Sequence, residues 1–423
     1  MGKIDLTINK TGLAHNIQKA KENNVIIPTI AQMQHPETIP EKIQEKLKGV
    51  GLWDVNPLNL FRITWKNEAK ESGGLFQEVP NYVEIPSELS GVPCRILAMA
   101  GKWFPTGCHK VGASFGCLAP RLVTGQFDAT YHHAVWPSTG NYCRGGAFNS
   151  KLLAVDSVAI LPAEMSKERF EWLSKIAGQV IATPGCESNV KEIFDKTWEL
   201  KQDPSMMIFN QFEEMGNPLW HYNVTGYALA DLFEAVKKPG QKLAGACFTS
   251  GSAGTMSAGD LLKERYPGMK LGVGEALQCP TILNNGFGGH RIEGIGDKHI
   301  PWIHNVKNTD MVIDIDVTAA AGIKSFWVTI DSEALKDLLP VINMPEKFDI
   351  CDIPADLAAI LHDEFGFPIN EQVKNQTAVM FSITKFVEIL LEIPGEHNFV
   401  LDVTDNNNVL THKTVKLIVK AAE

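Results

Sequence analysis

None of the eight cysteines (94, 108, 117, 143, 186, 247, 279 and 351) forms a CxxC pair, and no apolar run approaches the ~18 residues of a membrane span. The start, from Met1 to Leu6, lacks the apolar stretch of a secretory signal, and residue 6 is not the Ser or Thr of a myristoylation signal. Scattered thiols without an export signal are expected to be reduced, in a cytoplasmic protein, and most serve as small buried hydrophobes. Positive charge is not in excess either. Lys and Arg number 39 against 49 Asp and Glu, a formal net charge of −10, which argues against nucleic acid or an anionic membrane as partner. A Walker loop and a GxGxxG fingerprint are both missing. His132 and His133 have no companion cluster at ligand spacing, so no metal is expected.

What is present is enough apolar residue, 44% of 423, to bury a large core, and a length that suits two lobes. From about residue 130 short apolar runs alternate with helical patterns. Ala134-Val135-Trp136, Ser157 to Leu161, Gln179 to Ala182, Leu243 to Phe248 and Lys270 to Glu275 read as strands, as does Leu60 to Trp65 upstream. Ser166 to Arg169 and Asn189 to Leu200 read as helical, the first with a capping serine and an early acid. This rhythm predicts an α/β fold of two open, parallel-sheet lobes covered by helices. The expected division is a helical extension over 1–50, with a helix near Pro40 to Leu47, a first lobe over 51–215, and a second over 216–423 with an insertion within 302–398.

Three stretches carry candidate chemistry. Lys110 lies in Phe104-Pro105-Thr106-Gly107-Cys108-His109-Lys110-Val111-Gly112, after the strand-like Val92 to Ala100 and before an apolar helical segment. Burying an ammonium there is costly and lowers its basicity, as a Schiff-base lysine requires; on this stretch alone, a loop lysine with a packed stem is the favoured reading. Gly251-Ser252-Ala253-Gly254-Thr255 joins a strand to a helix, where small residues let main-chain N–H groups approach an anion. Ser138-Thr139-Gly140-Asn141 ends another strand and can hold a carboxylate. An ordinary turn would use the same residues in both loops. In open α/β sheets, however, ligands gather at the carboxyl ends of strands. Lysine, phosphate cradle and carboxylate loop together point to pyridoxal phosphate acting on an amino acid.

These motifs resemble the fold-type II pyridoxal-phosphate enzymes, most closely the cysteine synthase and cystathionine β-synthase branch of the tryptophan synthase β superfamily. The likeness runs from about Asn56 to Pro301 in family order. It takes in Asn56-Pro57-Leu58, the lysine segment, Ser138 to Asn141 and Leu161 to Ser166. It continues through Gln211-Phe212 with Asn217 to Gly226, the Gly251–Thr255 loop and His290 to Gly296. The resemblance implies a cofactor between two lobes. Lys110 would be the cofactor lysine, with His109 (as in tryptophan synthase β chains), Asn141, Gly251, Ser252, Ala253, Gly254, Thr255 and Thr404 around the cofactor. Asn406 is the alternative to Thr404. Ser138, Thr139, Gly140, Tyr142 and Gln211 would face the substrate. Phe104, Cys108, Val111 and Tyr142 depart from the family pattern, so the substrate pocket is expected to be reshaped.

The implied activity is β-replacement on a small amino acid with a β-leaving group, through an aminoacrylate. One alternative is β-elimination that releases ammonia and a 2-oxo acid. The other is a non-catalytic regulatory protein on the same fold. A homodimer is expected from the resemblance.

Overall fold

A computed structural model of the chain describes residues 4–68, 74–138, 140–163, 165, 167–184, 190–286, 288, 295–296, 299–315, 323–331, 347–349, 395–405 and 410–419. Its contacts divide it into two units, Met1–Ile315 and Asp316–Glu423. The first holds two parallel sheets. Strands β3 (His133–Pro137), β4 (Ser157–Pro162), β5 (Gln179–Thr183) and β6 (Met206–Ile208) form a sheet of order β5-β4-β3-β6, and every neighbouring pair is parallel. Strands β7 (Gly245–Thr249), β8 (Lys270–Ala276) and β9 (Met311–Ile315) form the second, also parallel. A separate antiparallel pair, β1 (Tyr82–Ile85) and β2 (Ile96–Met99), takes up only part of the run from Val92 to Ala100.

The β4 strand is buried along its whole length, which is why it reads as one apolar run. Helix Lys110–Val123 is buried over most of its length, from Val111 to Ala119. It lies in one core with Trp136, Phe148, Phe209 and Trp220. Each large apolar side chain fully buried there contributes about 1.5–3 kcal/mol. The same core includes Met33, with Val25, Ile27 and Ile30 packed against it, so the first fifty residues wrap onto the lobe. Helix Glu41–Leu47 forms where the sequence places one.

A second long helical segment crosses the lysine helix. It runs as Gly216–Trp220, a π-helical turn over His221–Thr225, and then Gly226–Val236. At the crossing the two backbones touch. A Cβ on Gly116 would meet Gly216 O at 2.5 Å, one on Gly216 would meet Gly116 O at 2.2 Å, and one on Gly112 would meet the Trp220 ring at 2.0 Å. Only glycine permits that approach.

One strand expectation is corrected. Leu60 to Trp65 is not a strand. Pro57–Arg62 is a 3-10 helix, opened by the Asn56 side chain accepting Leu58 N–H and by Pro57 at its first position. Arg62 then turns inward and donates to the carbonyls of Leu47, Val50 and Gly74. The run from Phe399 to Val403 is a strand. It belongs to β12 (Gly395–Asp405) in the second unit. There β10 (Ile323–Asp331), β11 (Lys347–Asp349), β12 and β13 (Leu410–Val419) form an antiparallel sheet of order β11-β10-β12-β13. Phe399, Leu401 and Val403 pair with Val415, Lys413 and Thr411.

Candidate active site

Five side chains close a ring at the carboxyl ends of the first unit's strands. Lys110, the first residue of its helix, donates from Nζ to Gln211 Oε1 and to Ser252 Oγ, each at 3.0 Å. Gln211, three residues past β6, donates from Nε2 to Ser138 Oγ at 3.4 Å. Asn217 donates from Nδ2 to Gln211 O (2.9 Å) and to Ser252 Oγ (3.2 Å). An ammonium only donates, so the Gln211 amide must turn its oxygen to Lys110 and its NH2 to Ser138. The same logic applies to Ser252. Its oxygen already accepts from Lys110 and Asn217, which leaves its own proton for an incoming acceptor.

Some Lys110 surface remains accessible, but its ammonium lies among packed protein atoms, and desolvation lowers its pKa. Its two acceptors are both neutral, and no carboxylate acts on it. His109 is held down to about 3, first by desolvation and then by the Lys110 charge. Burial pushes the Cys108 and Cys117 thiols up, so neither is a thiolate nucleophile near neutral pH.

Ser252 and Ala253 are buried within the loop that follows β7, and Ala253 takes a left-handed φ of 62°. Among the described residues no hydrogen bond uses the main-chain N–H of Gly251, Ser252, Ala253, Gly254 or Thr255. The ten-residue helix Met256–Arg265 begins directly afterwards. Consecutive unused N–H groups, one left-handed residue and a helix N-terminus make an anion cradle. Lys110 reaches into it through Ser252. A cofactor with an aldehyde for the lysine and a phosphate for the loop therefore fits these residues.

The other expected site residues divide. Ser138 is buried and accepts Gly140 N–H at 3.3 Å, so that loop folds back on itself beside Gln211. Asn141 opens helix Asn141–Leu152 with an exposed side chain. Thr139 lies outside the described residues, as do His290 to Gly294 and Asn406. Tyr142 turns into the core instead of the cleft. Its hydroxyl donates to Cys117 Sγ at 3.5 Å and its ring meets Trp136 edge to face. Thr404 sits inside β12, paired with Ser325 and Leu410, and not at the end of a parallel strand. His132 accepts Asp128 N–H at 2.8 Å, a local cap. Asn217 completes the ring without having been singled out. Its sequence signal was a lone amide before proline on an otherwise apolar helical face.

No family model matches the chain. Over 182 residues it is 32% identical to the cysteine synthase of Staphylococcus aureus (strain N315), which covers 43% of this chain and 57% of that protein. Over 181 residues it is 31% identical to the probable cysteine synthase of Bacillus subtilis, covering 42% and 57%. The chain is a distant relative of the cysteine synthase and cystathionine β-synthase family. A cystathionine beta-synthase of Dictyostelium discoideum is 29% identical over 191 residues, 43% of this chain and 36% of that one. The match thus spans little more than half the length of these cysteine synthases. Two solved structures share the fold. The O-acetylserine dependent cystathionine beta-synthase from Helicobacter pylori has a TM-score of 0.51 at 24% identity, over 57% of this chain and 78% of that one. The cysteine synthase from Entamoeba histolytica has 0.51 at 20%, over 57% and 72%. Among the described residues no helix is long and apolar enough to cross a membrane.

Proposed function

We propose that this chain is a pyridoxal-phosphate-dependent enzyme that exchanges the β-substituent of a small amino acid for a thiol or sulfide. One observation carries the reading: Lys110 Nζ lies 3.0 Å from Gln211 Oε1 and 3.0 Å from Ser252 Oγ, between a carboxylate loop and an anion cradle. Bound there, pyridoxal phosphate supplies the electron sink that lets the α-C–H bond break.

The chain's residues do the rest. Lys110 anchors the cofactor through its amine, and desolvation favours the neutral amine that this needs. The N–H groups of Gly251–Thr255 and the Ser252 hydroxyl hold the phosphate. Ser138, Gly140 and Gln211 hold the substrate carboxylate, and Asn141 orients the cofactor ring. With the substrate so fixed, and its amine having taken the lysine's place and freed Nζ, Lys110 would take the α-proton on Nζ while the β-leaving group departs with its electron pair. After the thiol has added at the β-carbon, Lys110 returns the proton. His109, stacked on Trp65, closes one side of the lysine to water.

The test is a substrate panel on the purified chain. Added pyridoxal phosphate should give visible Schiff-base absorbance that Lys110→Ala abolishes. O-acetylserine with sulfide should then yield cysteine. Ammonia and a 2-oxo acid as the only products would replace this reading with elimination. No absorbance change at all would leave a non-catalytic protein.

A further inference from the structure

Behind Lys110 lies a closed group of buried side chains that this mechanism uses only as a wall. His221 and Thr225 come from the π-helical turn, a wide winding that is uncommon and concentrates at functional sites. His221 Nδ1 and Thr225 Oγ1 are 2.9 Å apart, and Trp65 Nε1 donates to the same oxygen at 3.0 Å. Trp65 stacks on His109 (5.9 Å, 23°), and His109 meets His221 edge to face (5.2 Å, 72°). His109 immediately precedes Lys110. The group therefore runs from Trp65 through Thr225 and His221 back to the residue that starts the lysine helix.

Counting hydrogens fixes the state of His221. An indole N–H only donates, so it occupies one lone pair of Thr225 Oγ1. If Thr225 gives its own proton to Nδ1, a single orphan is left, the Nε2–H. If His221 donates from Nδ1 instead, both the Nε2 lone pair and the Thr225 O–H are orphaned. His221 is fully buried and its Nε2 has no partner. Each buried orphan costs about 1–3 kcal/mol, so the arrangement with one is preferred.

The charges around the group are few. Cys108 and Cys117 act on Lys110, Lys110 acts on His109, and His109 and Lys110 act on His221. One step further out, Arg144 acts on Cys108, and Glu214, paired with Arg121, acts on Cys117. Both thiols are kept protonated by burial. Desolvation lowers the basicity of all three bases, so each added positive charge among them is disfavoured.

We propose that His221 is a positioning residue. Locked as the neutral Nε2–H imidazole by Thr225 and Trp65, it holds His109 in place and keeps a second positive charge away from Lys110. This rests on Lys110 being the Schiff-base lysine.

Thr225→Val and Thr225→Ser separate hydroxyl from shape: valine keeps the outline and loses the O–H, serine does the reverse. On the full chain, long-range proton–nitrogen spectra report the His221 tautomer. Reductive methylation with formaldehyde and cyanoborohydride, read at Lys110 by peptide mass spectrometry, reports its free amine across pH. Wild type and Thr225→Ser should show the Nε2–H form near neutral pH and one step in Lys110 methylation. Without the hydroxyl, nothing distinguishes the two ring nitrogens of His221 in Thr225→Val. That variant should show a mixture of tautomers near neutral pH, with the Lys110 methylation rate changed about 3-fold or more. A wild-type proton on Nδ1, or a valine variant like wild type beside an altered serine variant, overturns the proposal. Both readouts work without cofactor or turnover. Failure to form the visible Schiff base is therefore seen separately, and would remove the function proposed above.

Discussion

A Cβ built on Gly254 would lie 2.1 Å from Asn217 Oδ1. The phosphate loop is thus moulded onto the amide that also ties Gln211 to Ser252. In Gly254→Ala the methyl must displace Asn217 and break both of its hydrogen bonds. Affinity for pyridoxal phosphate, measured by absorbance titration, should fall about tenfold or more, corresponding to roughly 1–1.5 kcal/mol. Unchanged affinity in a folded variant would show that the cradle does not depend on this contact.

Lys110 should make cofactor-free stability depend on pH in a defined direction. Its folded pKa lies below the ordinary 10.5, because its burial penalises the charge. Between the folded value and 10.5 the unfolded chain binds more protons, so stability rises with pH across that window. Below it the native state carries the full cost of the buried ammonium. Lys110→Met should therefore raise the Tm of the cofactor-free protein most at low pH, and the gain should shrink as pH nears 10.5. A Tm difference independent of pH would contradict a desolvated lysine.

Arg62 is buried and donates to three carbonyls, of which Leu47 O also accepts from Val50 N–H while no other described donor reaches Val50 O or Gly74 O. Arg62→Lys keeps the charge but loses the fork, so at least one carbonyl and part of the cation are left unpaired. Urea unfolding should show a loss on the order of 3 kcal/mol. Near-wild-type stability would mean that the loops around Leu47, Val50 and Gly74 re-satisfy themselves.

The parts of the site legible in the sequence were those whose residue types are chemically improbable elsewhere. A lysine opening an apolar helix and small-residue turns after apolar strands are each weak alone and gain weight only in combination. Tyr142 was misplaced because adjacency in sequence is not adjacency on a helix; one step past Asn141 turns the side chain about 100° and into the core. Arg62 looked like part of a strand because its neighbours are apolar, and its three carbonyl partners come from far along the chain. The antiparallel sheet holding Thr404 was not foreseen, because the apolar runs Phe399 to Leu401 and Leu417 to Val419 read equally well as buried parallel strands. Asn217 and His221 acquire their roles only when two helices cross.

That crossing has a mechanical consequence. Because Gly116 and Gly216 meet backbone to backbone, the segment bearing Lys110 cannot slide or roll against the segment bearing Asn217 without atoms colliding. Asn217 in turn grips Ser252. Lys110, Asn217 and the Gly251–Thr255 loop thus form a stiff anvil against which the rest of the cleft must adjust.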